Sequence, residues 1–153
     1  MSQALIRPAT RDDLGAIIRL LADDPLGRLR ELPGETVSAS YLAAFEAISQ
    51  DPNQLLVVAE DNGEIIGTLQ LTYIPGLSRG GAWRGQIEAV RIASERRGAR
   101  LGEAMIEWAI EKCRAANCRM VQLTTDKQRT DAHRFYDRLG FSASHVGYKL
   151  ALD

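Results

Sequence analysis

The sequence predicts an α/β (α+β) fold: a mixed sheet of six to seven strands flanked by about four helices. Apolar residues recur at helical spacing in four stretches and at strand spacing in the rest, and the two patterns alternate along the chain. Turn chemistry separates them, with Asp61-Asn62-Gly63 the clearest hairpin signal. No repeat, linker or low-complexity segment divides the 153 residues, so one domain covering 1–153 is expected, long enough to bury a core without disulfides.

Leu5-Ile6-Arg7-Pro8 reads as a short edge strand, because Pro8 has no N–H for a central ladder. Thr10 caps a helix that carries Asp12 and Asp13 in its first turn and Leu14, Ile17, Ile18 and Leu21 on its apolar stripe. Pro25, Gly27, Pro33 and Gly34 mark an irregular stretch before a second helix from about Ser38 to Ser49. Strands follow at Gln54 to Glu60, Glu64 to Ile74 and Trp83 to Ile92, the last two separated by a loop that Pro75-Gly76 and Gly80-Gly81 frame. A helix from about Arg100 to Ala116, a strand from Arg119 to Thr125 and a short helix from Asp131 to Leu139 come next. Phe141 to Leu152 is expected to hold the final strand or strands.

Hydrophobic residues at 45% and charged residues at 25% are the proportions of a soluble globular protein. A net charge of −1 supplies no field that would draw the chain to nucleic acid or to an anionic membrane, so neither is expected as a partner. No apolar run approaches membrane-spanning length, and a cytoplasmic location is expected. Cys113 and Cys118 are read as reduced thiols, with one disulfide the alternative. Those two and His133 and His145 lack the spacing of a zinc site, so no metal is expected.

Between the fourth strand and the third helix lies Ser94-Glu95-Arg96-Arg97-Gly98-Ala99-Arg100-Leu101-Gly102-Glu103, with two glycines and three arginines. Such a turn at a positive helix end can aim backbone N–H groups at a phosphate; it can equally be a basic surface turn. Within the fourth strand, Ile87 and Ala89 share one parity while Val90 and Ile92 share the other. That slip fits a β-bulge near Ala89-Val90, or a strand buried on both faces. In the short helix, Ala132, Phe135 and Leu139 form the stripe and Gly140 the stop, and Tyr136 shares a face with His133. Either ring could carry a proton, or be no more than a half-buried aromatic and a surface histidine.

The strand followed by Arg97-Gly98-Ala99-Arg100-Leu101-Gly102 and a helix, with Ala132-x-x-Phe135-Tyr136-x-x-x-Gly140-Phe141 after it, resembles the GNAT superfamily of acyl-CoA-dependent N-acetyltransferases. The likeness in element order covers essentially the whole chain. It implies a mostly antiparallel twisted sheet, with acetyl-CoA as co-substrate lying beside a bulged fourth strand. Main-chain groups of Val90, Arg91 and Ile92 would pair with the pantetheine amides. The pyrophosphate would sit on Arg97, Gly98, Ala99, Arg100, Leu101, Gly102 and Glu103, and His133 is placed among the cofactor-contacting residues. Two positions depart from the family pattern. Arg100 stands where the family has its middle glycine, so either its backbone is ordinary or its guanidinium reaches a phosphate. Arg129 stands where an asparagine is often found.

The resemblance further implies catalysis by direct attack of a primary amine, of a small molecule in preference to a protein, on the thioester. Glu88 would take the amine's proton; its alternative is a carboxylate satisfied by Arg84 or Arg91. Tyr136 would protonate the departing thiolate, a transfer that a phenol of pKa near ~10 suits. The amide near Val90 would polarise the carbonyl. The acceptor pocket would lie between Asp23 to Glu35, which mixes acids with Arg28 and Arg30, and Pro75 to Arg84, where Arg79 and Arg84 could hold an anionic group. A non-catalytic acyl-CoA sensor or scaffold is the alternative activity. A homodimer through Phe141 to Leu152 is implied as well.

Overall fold

The computed structural model describes residues 4–98 and 100–152. Two compact units divide the chain, Met1–Gln122 and Leu123–Asp153. In the first, β1 (Leu5–Pro8) leads through a 3-10 turn (Arg11–Asp13) into α1 (Leu14–Ala22), α2 (Gly27–Arg30) and α3 (Ala39–Gln50). β2 (Gln54–Asp61), β3 (Glu64–Ile74), α4 (Ser78–Gly81) and β4 (Arg84–Ile92) follow. A 3-10 turn (Ser94–Arg96), α5 (Leu101–Ala115) and β5 (Met120–Leu123) complete the run, and the strands lie in the order β1-β2-β3-β4-β5.

β1 to β4 are antiparallel neighbours. The β2–β3 turn has Asn62 and Gly63 at φ 50 and 82, the left-handed pair that a two-residue hairpin requires. Arg119 N–H donates to the Trp83 carbonyl at 2.8 Å and Gln122 Nε2 donates to Gln86 Oε1 at 3.0 Å. Numbers that rise together on both strands are those of a parallel β4–β5 pair.

Alternation sorts the side chains onto two faces. On one, Val57, Leu69, Leu71 and Ile87 are buried together with Met105, Ile106, Ala109 and Cys113 of α5. α5 approaches so closely that a β-carbon on Gly85 would fall 2.2 Å from Cys113 Sγ. On the other, Leu14 and Ile17 of α1 cluster with Val58, and Leu42 and Phe45 of α3 pack against that cluster. Arg7 fastens this layer: its guanidinium grips Asp13 through two hydrogen bonds of 2.8 and 3.1 Å and reaches Glu60 at 3.0 Å.

The expected six to seven strands and about four helices are corrected to five strands and six helices among the described residues. The added helices, α2 and α4, are single turns inside the Pro- and Gly-rich stretches, and α4 contains Arg79 and Gly80 in left-handed backbone. The missing strands are those expected from Phe141 to Leu152, where no strand forms. Val146, Tyr148, Leu150 and Leu152 keep the period of a strand but are 71–94% exposed. Periodicity selects a face, whereas a strand also needs a neighbour to bond its backbone.

The second unit holds α6 (Thr130–Arg138). Gly140, at φ 97, ends it, and Phe141 N–H donates back to the Tyr136 carbonyl at 3.1 Å. That six-to-one bond is the Schellman stop, and it explains the Tyr-x-x-x-Gly-Phe spacing on conformational grounds alone.

Candidate active site

The parity slip in β4 is a bulge. Glu88 pairs with Gln70 while Arg91 pairs with Thr68, so three steps along β4 match two along β3. Ala89 takes φ 55 to absorb the extra residue. Glu88 and Arg91 thereby share the face that α1 covers, which a regular strand would forbid. Arg91 Nε stands 3.8 Å from Asp24 in the α1–α2 connection, and its Nη1 donates to the Val90 carbonyl at 2.9 Å. Glu88 is exposed, and among the described residues it has neither an ion pair nor a hydrogen bond; Arg84 and Arg91 do not satisfy it.

β4 runs directly into the basic turn. Arg96 Nη1 pairs with Asp61 at 2.6 Å, a carboxylate only 4% exposed. Arg97 folds back onto the protein, Nε to the Ile92 carbonyl at 3.3 Å and Nη2 to the Asp23 carbonyl at 3.4 Å. Arg100, just before α5, has φ 63 and ψ 13, and its carbonyl accepts from Ala104 N–H at 3.1 Å. Its backbone is therefore not ordinary: arginine adopts the left-handed conformation that the family glycine would adopt freely. Leu101, Gly102 and Glu103 lie ahead of that bond, in the first turn of α5, and among the described residues their N–H groups have no carbonyl partner. A β-carbon placed on Gly98 would meet nothing within 4 Å, which leaves the approach open. Orphan donors at the positive end of a 15-residue helix, with open space before them, fit a phosphate group.

The structure thus brings Glu88, Val90, Arg91, Ile92, Arg97, Gly98, Arg100, Leu101, Gly102 and Glu103 into one continuous stretch of the first unit. Ala99 lies outside the described residues. His133 and Tyr136 belong to α6 of the second unit. His133 Nε2 lies 2.9 Å from the Asp126 carbonyl, to which it donates, and so pins the segment that precedes α6. Tyr136 is half-buried between two edge-on rings, Phe135 at 5.1 Å and Phe141 at 5.8 Å.

A family model described as the acetyltransferase (GNAT) family matches residues 16–141. The chain belongs to the GNAT acetyltransferases. It is 31% identical over 147 residues to the aminoalkylphosphonate N-acetyltransferase of Salmonella typhimurium, an alignment covering 96% of this chain and 90% of that one. It is 30% identical to the glucosamine 6-phosphate N-acetyltransferase of Trypanosoma brucei brucei, covering 88% and 95%. A crystal structure from Bacillus halodurans C-125, described as a transcriptional regulator, superposes with a TM-score of 0.96 at 47% identity, covering 98% of this chain and 100% of that one.

As a GNAT acetyltransferase the chain is an enzyme of a family that uses acetyl-CoA, and its relatives named above act on amines. A groove of about 890 Å³ between α1 and the start of the basic turn is lined by Asp12, Asp23, Glu60, Glu64 and Glu95, with Arg19 beside them. Those carboxylates oppose a polyphosphate, so the groove is no rival to the α5 N-terminus. No three His, Cys, Asp or Glu side chains gather as a metal-ligand set among the described residues.

One set of residues escaped sequence reasoning. Gln54, Gln70, Gln86 and Gln122 stand on the Glu88 face of four adjacent strands, and Thr72 joins them. Gln54 Oε1 accepts from Gln70 Nε2 at 2.9 Å and from Thr72 Oγ1 at 3.0 Å. The signal was present: Gln70 and Thr72 alternate with Leu69 and Leu71, and Gln86 and Glu88 flank Ile87.

Proposed function

We propose that this GNAT chain transfers the acetyl group of acetyl-CoA to the primary amine of a small molecule, by direct attack. The observation that carries the reading is the bulge beside an exposed Glu88, whose side chain has no ion pair or hydrogen bond among the described residues, on the strand that leads into the turn before α5. Glu88 receives the ammonium proton, directly or through one water, and frees the nitrogen lone pair. The new C–N bond forms as the C–S bond breaks, and the Val90 N–H meets the charge that gathers on the carbonyl oxygen. Tyr136 delivers its phenolic proton to the departing thiolate and regains one from the acylated nitrogen. Val90, Arg91 and Ile92 offer main-chain partners to the pantetheine arm. Gly98, Arg100, Leu101, Gly102 and Glu103 hold the pyrophosphate through backbone N–H groups, with Ala99 between them and His133 beside the cofactor. Arg97 serves by bracing the turn.

The named substrates of the Salmonella and Trypanosoma enzymes are small amines that carry phosphonate or phosphate, which supports a small molecule over a protein amine. Free Cys113 and Cys118 support a cytoplasmic setting. A homodimer is part of the reading, supported by the alternating exposed Val146, Tyr148, Leu150 and Leu152 that a second copy could cover. The described role of the Bacillus protein favours a second reading, a non-catalytic acyl-CoA sensor.

CoA release across a panel of amines separates the two. For the enzyme, Glu88→Gln is expected to lower kcat about a hundredfold and Tyr136→Phe at least tenfold, with acetyl-CoA affinity unchanged in calorimetry. Tight acetyl-CoA binding with no turnover on the whole panel would establish the sensor instead.

A further inference from the structure

The glutamines that surround Glu88 on its face of the sheet take no part in the chemistry above. We infer that this face is the floor on which the acceptor lies, and that it selects a short zwitterion: an amine with an oxyanion (phosphonate, phosphate or carboxylate) a few bonds from its nitrogen. The inference rests on Glu88 being the group that takes the acceptor's proton.

Gln70 stands directly across the ladder from Glu88, with about 5 Å between their β-carbons. One of its two amide N–H bonds is given to Gln54, and its carbonyl oxygen is left to accept. A carboxylate and an amide oxygen together suit the N–H bonds of an ammonium group. Two residues back along β4 the polarity reverses. Gln86 spends its oxygen on Gln122 and keeps its own N–H groups as donors. Arg84 lies two residues further on the same face, against Gly76. It makes no ion pair or hydrogen bond with any described residue, so its guanidinium is available to an anion.

Acceptors therefore gather at Glu88 and donors at Arg84, over about 13 Å of backbone that long side chains narrow from both ends. A simple alkylamine would use half of this surface and leave Arg84 idle. A plain anion would meet Glu88. A protein lysine carries no oxyanion within a few bonds of its nitrogen. A short zwitterion alone engages both ends.

The test reads affinity in the protein saturated with CoA, by calorimetry, for 2-aminoethylphosphonate, β-alanine and propylamine. The two zwitterions are expected to bind at least tenfold tighter than propylamine, and the better of the two identifies the oxyanion. Arg84→Gln should cut that preference to threefold or less, Arg84→Lys should retain part of it, and the side-chain amide NMR signals of Gln86 should shift with the zwitterions only. Thermal unfolding accompanies each variant; should Arg84→Gln fail to fold, Gln86→Leu is expected to reduce the same preference and decides the matter. Equal affinity for all three amines, or a preference untouched in the folded variants, overturns the inference. Affinity is measured without turnover, so a failure of the catalytic reading appears in the CoA-release assay and a failure of this one in the titration.

Discussion

Arg100 is an arginine in left-handed backbone at the mouth of the phosphate turn. A non-glycine residue there costs on the order of 1 kcal/mol. Its side chain is exposed, and the donors that fit a phosphate are the N–H groups behind it. Arg100→Gly is therefore expected to lose no stability, gaining up to about 1 kcal/mol where relief of strain outweighs the extra freedom of the unfolded chain. Acetyl-CoA affinity should stay within about tenfold, since main-chain groups carry most of the binding. Urea unfolding and calorimetry check the two halves separately, and a much larger loss of affinity would show the guanidinium to be a principal ligand. The arginine itself carries no mark of positive φ, and only its place at the family's middle glycine pointed to that backbone.

Among the elements, the contact of α5 with β4 has the least room. Gly85 admits Cys113 Sγ where a β-carbon would stand, and burial pushes that thiol up to about 12, so it packs as a small hydrophobe and stays inert. Gly85→Ala is expected to cost about 1–3 kcal/mol through the forced shift. In a double-mutant cycle Cys113→Ala should recover much of that loss; strictly additive effects in chemical denaturation would show that the clash is not the cause. Elements of this kind were legible to different depths. The β2–β3 hairpin announced itself through Asn62-Gly63, the bulge through a parity slip, and α6 through its stripe and Gly140, because each signal is local. The C-terminal strands were misread for the complementary reason: alternation from Val146 to Leu152 specifies a face and says nothing about a partner. The glutamine floor was missed because it exists only once four strands, distant in sequence, are laid side by side.

At the scale of the whole molecule, the Arg7–Asp13–Glu60 cluster joins the first strand, the entrance to α1 and the end of β2. Hydrogen bonds from Arg7 hold the Asp13 carboxyl below the usual carboxylate range. The unfolded chain therefore takes up this proton more readily than the folded one. The stability that the group contributes is complete above its unfolded value near ~4 and is lost as pH falls through the lower folded value. Asp13→Asn is expected to lower stability by about 2 kcal/mol at pH 7, by the loss of a charge-assisted pair at a site 10% exposed. It should also flatten the fall in stability below about pH 4, which a series of urea titrations across pH would record. A parallel acid limb in the variant and the parent would assign acid sensitivity to other carboxylates.

The single extra residue at Ala89 acts as a phase shifter between two halves of one strand. Before it, β4 is tuned to the floor that carries Gln86 and Glu88; after it, to the α1–α2 connection through Arg91 and Asp24. Loss of one residue there would let two steps of β4 match two of β3, so that Glu88 and Arg91 would keep their shared face while the unpaired main-chain groups of the bulge would be gone. Substitutions can tune either half independently, but a deletion at this point would keep both faces and erase the opening between them.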